Sequence, residues 1–168
     1  MEYAAIKNIA EQEYAKVKDQ IPVPVVAIAQ SHDLFVSEIE MSGAGMEGYS
    51  GVLTRLANGW SILVNKQDVP ARKRFTIAHE IGHFLLHKNQ PFADDFRLGE
   101  TFYRPESTGE DVLEKEANHF AANLLMPEDR IRQQWELLQR VDTMAEFFSV
   151  SDVSMTHRLK VLGIITNE

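Results

Sequence analysis

No cysteine occurs anywhere in the chain. That absence excludes a disulfide framework, a thiolate zinc cage and a thiol nucleophile, so any metal must be held by histidine, aspartate or glutamate. Long apolar runs are missing too. None approaches the roughly 20 residues that cross a bilayer, and Met1-Glu2-Tyr3 lacks the basic and apolar regions of a secretory signal. The expectation is a cytoplasmic protein. Positive charge is scarce: 17 Lys and Arg stand against 25 Asp and Glu, a net charge of −8. Gripping phosphate needs a basic footprint, so a surface built mainly for nucleic acid is disfavoured.

What is present suits a folded domain, since 168 residues with 44% hydrophobic content can bury a core. Residues 2–19 place Ile6, Ile9, Ala10 and Val17 among charges at near-helical spacing, an amphipathic first helix. Ile21-Pro22-Val23-Pro24 ends it. Residues 25–31 then read as a short second helix and 34–41 as an extended run. Residues 50–56 and 60–65 flank Ala57-Asn58-Gly59, where Asn-Gly marks a hairpin. A small, mainly antiparallel three-stranded sheet is expected.

Asp68 and Pro70 supply cap and first-turn signals for the next helix, which runs to His87. Ile77, Ala78, Ile81, Phe84 and Leu85 form one broad apolar face of it, and Phe75, Gly82 and Leu86 flank the other side. A helix apolar nearly all round is buried. Glycine inside a helix costs about 1 kcal/mol against alanine, so Gly82 signals close approach by another backbone. Residues 88–109 read as a loop, and 89–114 carry seven carboxylates against Arg97 and Arg104. A solvated connection accounts for that acidity, with a rim for basic partner segments as the alternative. Arg72-Lys73-Arg74 reads as a solvated helix start.

Further helices are expected near 110–126, 128–139, 142–148 and 152–162. The stretch from Phe147 to Ile164 has helix-turn-helix phrasing, but over residues 149–168 Arg158 and Lys160 are balanced by Asp152 and Glu168, which is weak for DNA binding. Packing against the core or a partner protein is the better reading. No repeat or linker divides the chain. It reads as one domain, with a core over about 1–127 and a C-terminal helical segment over about 128–168.

The chemistry concentrates in His79-Glu80-Ile81-Gly82-His83, an H-E-x-x-H pattern. Four residues advance a helix by about 400°, which puts the two histidines one turn apart on one face. So placed, they can bind one ion, while Glu80 can reach a water beside it. A catalytic zinc site needs a third protein ligand, and the segment Glu114-Lys115-Glu116-Ala117-Asn118 is the candidate source. On a helical wheel Glu114 shares a side with Ala121 and Leu125, whereas Glu116 lies about 200° round and looks outward. Glu114 is the better ligand, with Glu116 the alternative. Asn118, one turn on, is placed to accept a hydrogen bond from a ligand histidine. His87 reads as a helix-end histidine near the dipole, and His119 as a surface residue. Tyr103 and Arg104 are candidate donors to a tetrahedral oxyanion.

Two long blocks, residues 74–87 and 114–127, resemble the ImmA/IrrE family of bacterial zinc metallopeptidases in wording and order. The likeness is good over roughly residues 50–127 and looser at both ends. It implies a compact α+β, zincin-like fold, Zn²⁺ held by His79, His83 and a glutamate of the second block, and Glu80 as acid/base. It also implies cleavage of a helix-turn-helix repressor or antitoxin partner encoded nearby, in stress-response, mobile-element or toxin–antitoxin settings. A different function class stands beside it: a non-proteolytic metal-binding module that docks a repressor or nucleic acid. An intact Glu80 favours the peptidase, because a purely structural site needs no general base.

Overall fold

A computed structural model describes residues 1–18, 20–42, 46–57, 59–89 and 112–166. The described elements are α1 (Tyr3–Lys16), α2 (Val25–Ser31), β1 (Phe35–Ile39), β2 (Gly51–Leu56), β3 (Gly59–Asn65), α3 (Pro70–His87), α4 (Val112–Leu125), α5 (Glu128–Leu138), α6 (Val141–Phe148) and α7 (Asp152–Val161). The fold is α+β, a three-stranded sheet packed against a helical core, as the sequence leads one to expect. The sheet itself is mixed, in the order β1-β3-β2. The hairpin partners β2 and β3 run antiparallel, with Gly51 opposite Val64. By contrast β1 lies parallel to β3, with Phe35 opposite Ser61. Sequence alone cannot see this, because the chain crosses to the opposite edge between β1 and β2. None of the described helices is long and apolar enough to cross a membrane.

Helix α3 is the centre of the molecule. From Thr76 to Phe84 every residue is buried, and Ile81 and Ala78 are fully so. Each large apolar side chain buried in this way contributes about 1.5–3 kcal/mol. One side of α3 meets the sheet through Leu53, Ile62 and Val64, and the other meets α4. Its start differs from expectation. The N-cap is Val69, in extended conformation and with no side-chain cap, and Pro70 is the first helical residue. Proline at that position has no N–H to satisfy and a φ already set for the helix. Asp68 instead lies 3.5 Å from Arg72 Nε as an ion pair.

The basic run is solvated only in part, for Arg72 is exposed. Lys73 donates to Glu38, and half-buried Arg74 donates to the carbonyls of Val23 and Ser149. The lead-in to α2 and the end of α6 cover this turn, so the guanidinium joins two segments that the sequence leaves apart.

Helix α4 is sandwiched, with α3 on one side and α1 on the other. The approach to α3 is closest at Gly82. A Cβ there would stand 3.0 Å from Phe120 Cδ1 and 3.3 Å from both the Cα and the carbonyl oxygen of Ala117. Phe120 is fully buried and Ala117 offers backbone, so neither has room to yield. Gly82→Ala should gain about 1 kcal/mol of helix propensity. Overpacking should cost more, about 1–3 kcal/mol. The expected net result is a lower urea midpoint with an unchanged m-value; a higher midpoint would refute the close-approach account.

The C-terminal helices close the core. Ile131 of α5, Met144 and Phe148 of α6, and Met155 and Leu159 of α7 are all fully buried. Buried Arg158 donates to the Met126 carbonyl and to Asn123 Oδ1 at the end of α4. A second tie joins α1 to α5: Glu128 accepts from Lys7 at 2.7 Å and from Arg132 at 2.8 Å. Those two cations hold the Glu128 carboxyl down from 4.5 to about 2. A depressed carboxyl contributes stability above its unfolded value and loses it as pH falls through the folded one. Glu128→Gln should therefore cost about 0.5–1 kcal/mol at neutral pH, the modest value of a partly exposed pair. The difference from the parent should fade between pH 4.5 and about 2, as followed by denaturant midpoints across that range.

Candidate metal centre

Helix α3 carries His79, His83 and His87 on one stripe, one turn apart, and all three are buried. Glu114 sits in the first turn of α4 and faces that stripe. Its Oε2 lies 3.1 Å from His79 Nε2, and its Oε1 lies 3.0 Å from His83 Nε2. The two Nε2 atoms are 3.0 Å apart. Among the described residues His79, His83 and Glu114 form a cluster that could hold a metal, with ligand atoms all within 4.8 Å of one another.

The donors fit a divalent cation. Both Glu114 oxygens are buried, and among the described residues neither receives an aligned hydrogen bond despite the short distances to the imidazoles. On the far side of its ring, His79 Nδ1 is 2.9 Å from Asn118 Oδ1. An amide oxygen only accepts, so Nδ1 carries a proton and Nε2 of the neutral ring carries the lone pair. Electron pairs from imidazole and carboxylate thus converge on one point. Two ligands bound tetrahedrally to one zinc stand about 3.4 Å apart, close to the spacing seen here. The electrostatics agree. Burial pushes the Glu114 carboxyl up, but the neighbouring His79 and His83 outweigh it and hold it down to about 2. Burial also works against charge on His79, yet Glu114 and Glu80 pull its pKa upward. The pocket attracts positive charge, which a metal supplies at the expense of a proton.

Glu80 lies beside these donors and is 8% exposed. Burial raises its carboxyl pKa, against the opposing pull of the two histidines and a backbone hydrogen bond from Leu53. That bond follows from the sheet. The Asn65 N–H donates to Ser50 O, so by antiparallel alternation Leu53 and Gly51 turn their backbone groups away from β3. Gly51 is pressed against α3, for a Cβ there would meet Thr76 Cγ2 at 2.2 Å. A cleft of about 430 Å³ opens between this edge and α3, lined by Gly51, Phe75, Thr76, His79, Glu80 and Asn118 among others.

Glu116 departs from expectation. It does not look outward: it is 3% exposed, and its Oε2 lies 2.9 Å from His87 Nε2. Its other oxygen takes the Met1 ammonium. The wheel assumed one protein-facing side, whereas α1 covers the second. His87, expected as an ordinary helix-end residue, is likewise enclosed, 3.0 Å from His83 through the Nδ1 atoms. His119 stacks on Tyr3 with ring centroids 4.6 Å apart, away from the cluster. Tyr103 and Arg104 lie outside the described residues. Neither the Leu53 N–H nor the Glu116–His87 contact was foreseen. The four-residue spacing of His87 from His83 was the available signal for the second.

Comparison with known proteins bears on the same region. Residues 29–160 match the model of the IrrE N-terminal-like domain. The chain is 40% identical over 107 residues to the radiation response metalloprotease IrrE of Deinococcus deserti, covering 61% of this chain and 35% of that protein. It is 36% identical over 105 residues to IrrE of Deinococcus radiodurans, covering 60% and 30%. Metallopeptidase ImmA of Bacillus subtilis is 24% identical over 107 residues, covering 62% and 59%. The chain thus spans about a third of the length of the IrrE proteins it matches. In fold it is similar to a solved structure described as a Mycobacterium tuberculosis transcriptional regulator, with TM-score 0.66 and 16% identity over 93% of this chain and 46% of that one. The family match covers most of the chain and takes in both the histidine helix and the helix that faces it, so this protein belongs to the ImmA/IrrE family, whose shared module is the IrrE N-terminal-like domain.

Proposed function

We propose that this chain is a zinc-dependent endopeptidase of narrow specificity that acts in the cytoplasm on a helix-turn-helix repressor or antitoxin partner. The carrying observation is the convergence of His79, His83 and Glu114 on one point, with Glu80 beside it at the wall of an open cleft. In this reading His79, His83 and Glu114 hold the metal, and residues 1–168 act as one unit. When bound, zinc supplies Lewis acidity, acidifying water and polarising a carbonyl.

The chain's own residues do the rest. Glu80 takes a proton from the attacking water and delivers it to the leaving amine. Its raised pKa suits both halves of that task. Asn118 accepts from His79 Nδ1 and holds that ring so that Nε2 faces the ion. The substrate lies in the cleft as an extended segment, within reach of the outward backbone groups of Gly51 on the β2 edge. Tyr103 and Arg104 are the proposed donors to the oxyanion.

The test is incubation of the purified protein with zinc and any small helix-turn-helix protein encoded next to its gene. Cleavage at one bond, abolished by a chelator and restored by zinc, is the expected result. A stable complex with no cut under those conditions would replace the peptidase by a docking module.

A further inference from the structure

His79 and His83 are oriented by different means. Asn118 serves the first. The second faces His87, with the Nδ1 atoms 3.0 Å apart, and His87 in turn faces Glu116, with Nε2 2.9 Å from Oε2. Both outer residues are sealed in, His87 at 4% and Glu116 at 3% exposure.

The proton positions along this row follow from the acceptor at its end. A carboxylate only accepts, so His87 Nε2 carries a proton directed at Glu116. Two facing Nδ1 atoms need a single proton between them. If His87 supplied it, His83 would keep its own proton on Nε2, pointing into the cluster of His79 and Glu114. If His83 supplies it, His83 Nε2 presents a lone pair to that cluster. Only the second pattern lets His83 bind a metal.

We propose that His87 and Glu116 form a buried positioning pair that fixes the tautomer and ring angle of His83, passing the orienting effect of a carboxylate through a second imidazole. The inference rests on the metal-centre reading above and extends it to two residues that touch neither metal nor substrate. Glu116, costly to bury unless bonded, is met by His87 on one oxygen and by the Met1 ammonium on the other. Close packing at Gly82 and Ala117 places the two helices so that His87, at the last turn of α3, reaches Glu116.

The test uses His87→Phe, which keeps a ring and removes the acceptor, and His87→Gln. The glutamine amide offers an acceptor to His83 and a donor to Glu116. Zinc affinity, measured by competition with a coloured chelator, should fall about 10–100-fold in His87→Phe and largely recover in His87→Gln. Zinc-free melting temperatures measured alongside separate this from a folding defect, which would not track the restored acceptor. Nitrogen-15 ring shifts of the zinc-free protein at about pH 8, where histidine is ordinarily neutral, should report His83 protonated at Nδ1. Protonation of wild-type His83 at Nε2, or zinc binding in His87→Phe as tight as in the parent, overturns the proposal. A wild-type protein that binds no zinc overturns the metal reading instead, and the ring shifts still decide the relay. If His87→Phe does not fold, His87→Gln and the wild-type shifts decide it.

Discussion

Glu80→Gln is expected to cut the rate of substrate cleavage by about 10²–10⁴-fold, the usual contribution of a positioned general base, while metal content stays the same. Glutamine matches glutamate in shape, so packing beside Leu53 is kept. What it loses is the ability to take a proton. The proposed ligand set His79, His83 and Glu114 is untouched, so a chelator competition should read equal affinities. The two measurements together carry the argument. A rate loss accompanied by metal loss would mean that Glu80 holds the ion rather than the proton. Full activity in the variant would remove Glu80 from the mechanism altogether.

The second large effect belongs to Glu114→Ala. Structural zinc sites bind with about 10–16 kcal/mol spread over four ligands, so one ligand is worth a few kcal/mol. Affinity should drop by on the order of 10²-fold or more. Stability should move differently in the two states. Without metal the variant removes a carboxylate that His79 and His83 hold well below its usual range, so its melting temperature should fall modestly. With metal it should melt below the parent. Glu116→Ala should also lower the melting temperature of the metal-free protein, because it strips His87 of its partner and leaves a buried N–H unsatisfied. Were Glu116 the third ligand, the two variants would exchange behaviours. Calorimetry of both, with and without zinc, distinguishes the cases.

Much of this was legible in the sequence because helical periodicity is strict. Counting turns puts His79 over His83, puts Glu114 over Asn118, and marks Gly82 as a point of contact. Local turn chemistry likewise places the hairpin between β2 and β3. The misreadings came from partners remote in sequence. Glu116 reads as outward-facing because one wheel cannot say that a second helix, α1, packs on its far side. Arg74 reads as solvated because its acceptors, Val23 and Ser149, lie 51 and 75 residues away. The parallel pairing of β1 depends on a crossover with no local signature. Asp68 stands one residue before the cap position, because the helix begins at Pro70 and its N-cap is Val69, held extended as a residue before proline is.

The split origin of the donors has a thermodynamic consequence. α3 offers two histidines from its middle, and α4 offers a carboxylate from its first turn. In the proposed reading an ion bound between them would be a cross-link that exists only in the folded chain, so every increment of free zinc would raise the cost of unfolding. At free metal about 100 times the dissociation constant the gain is about 2.7 kcal/mol. A melting curve taken across a zinc series therefore doubles as a binding isotherm. In that reading the metal-free chain would be the looser form, unfolding at lower temperature than the metal-bound one.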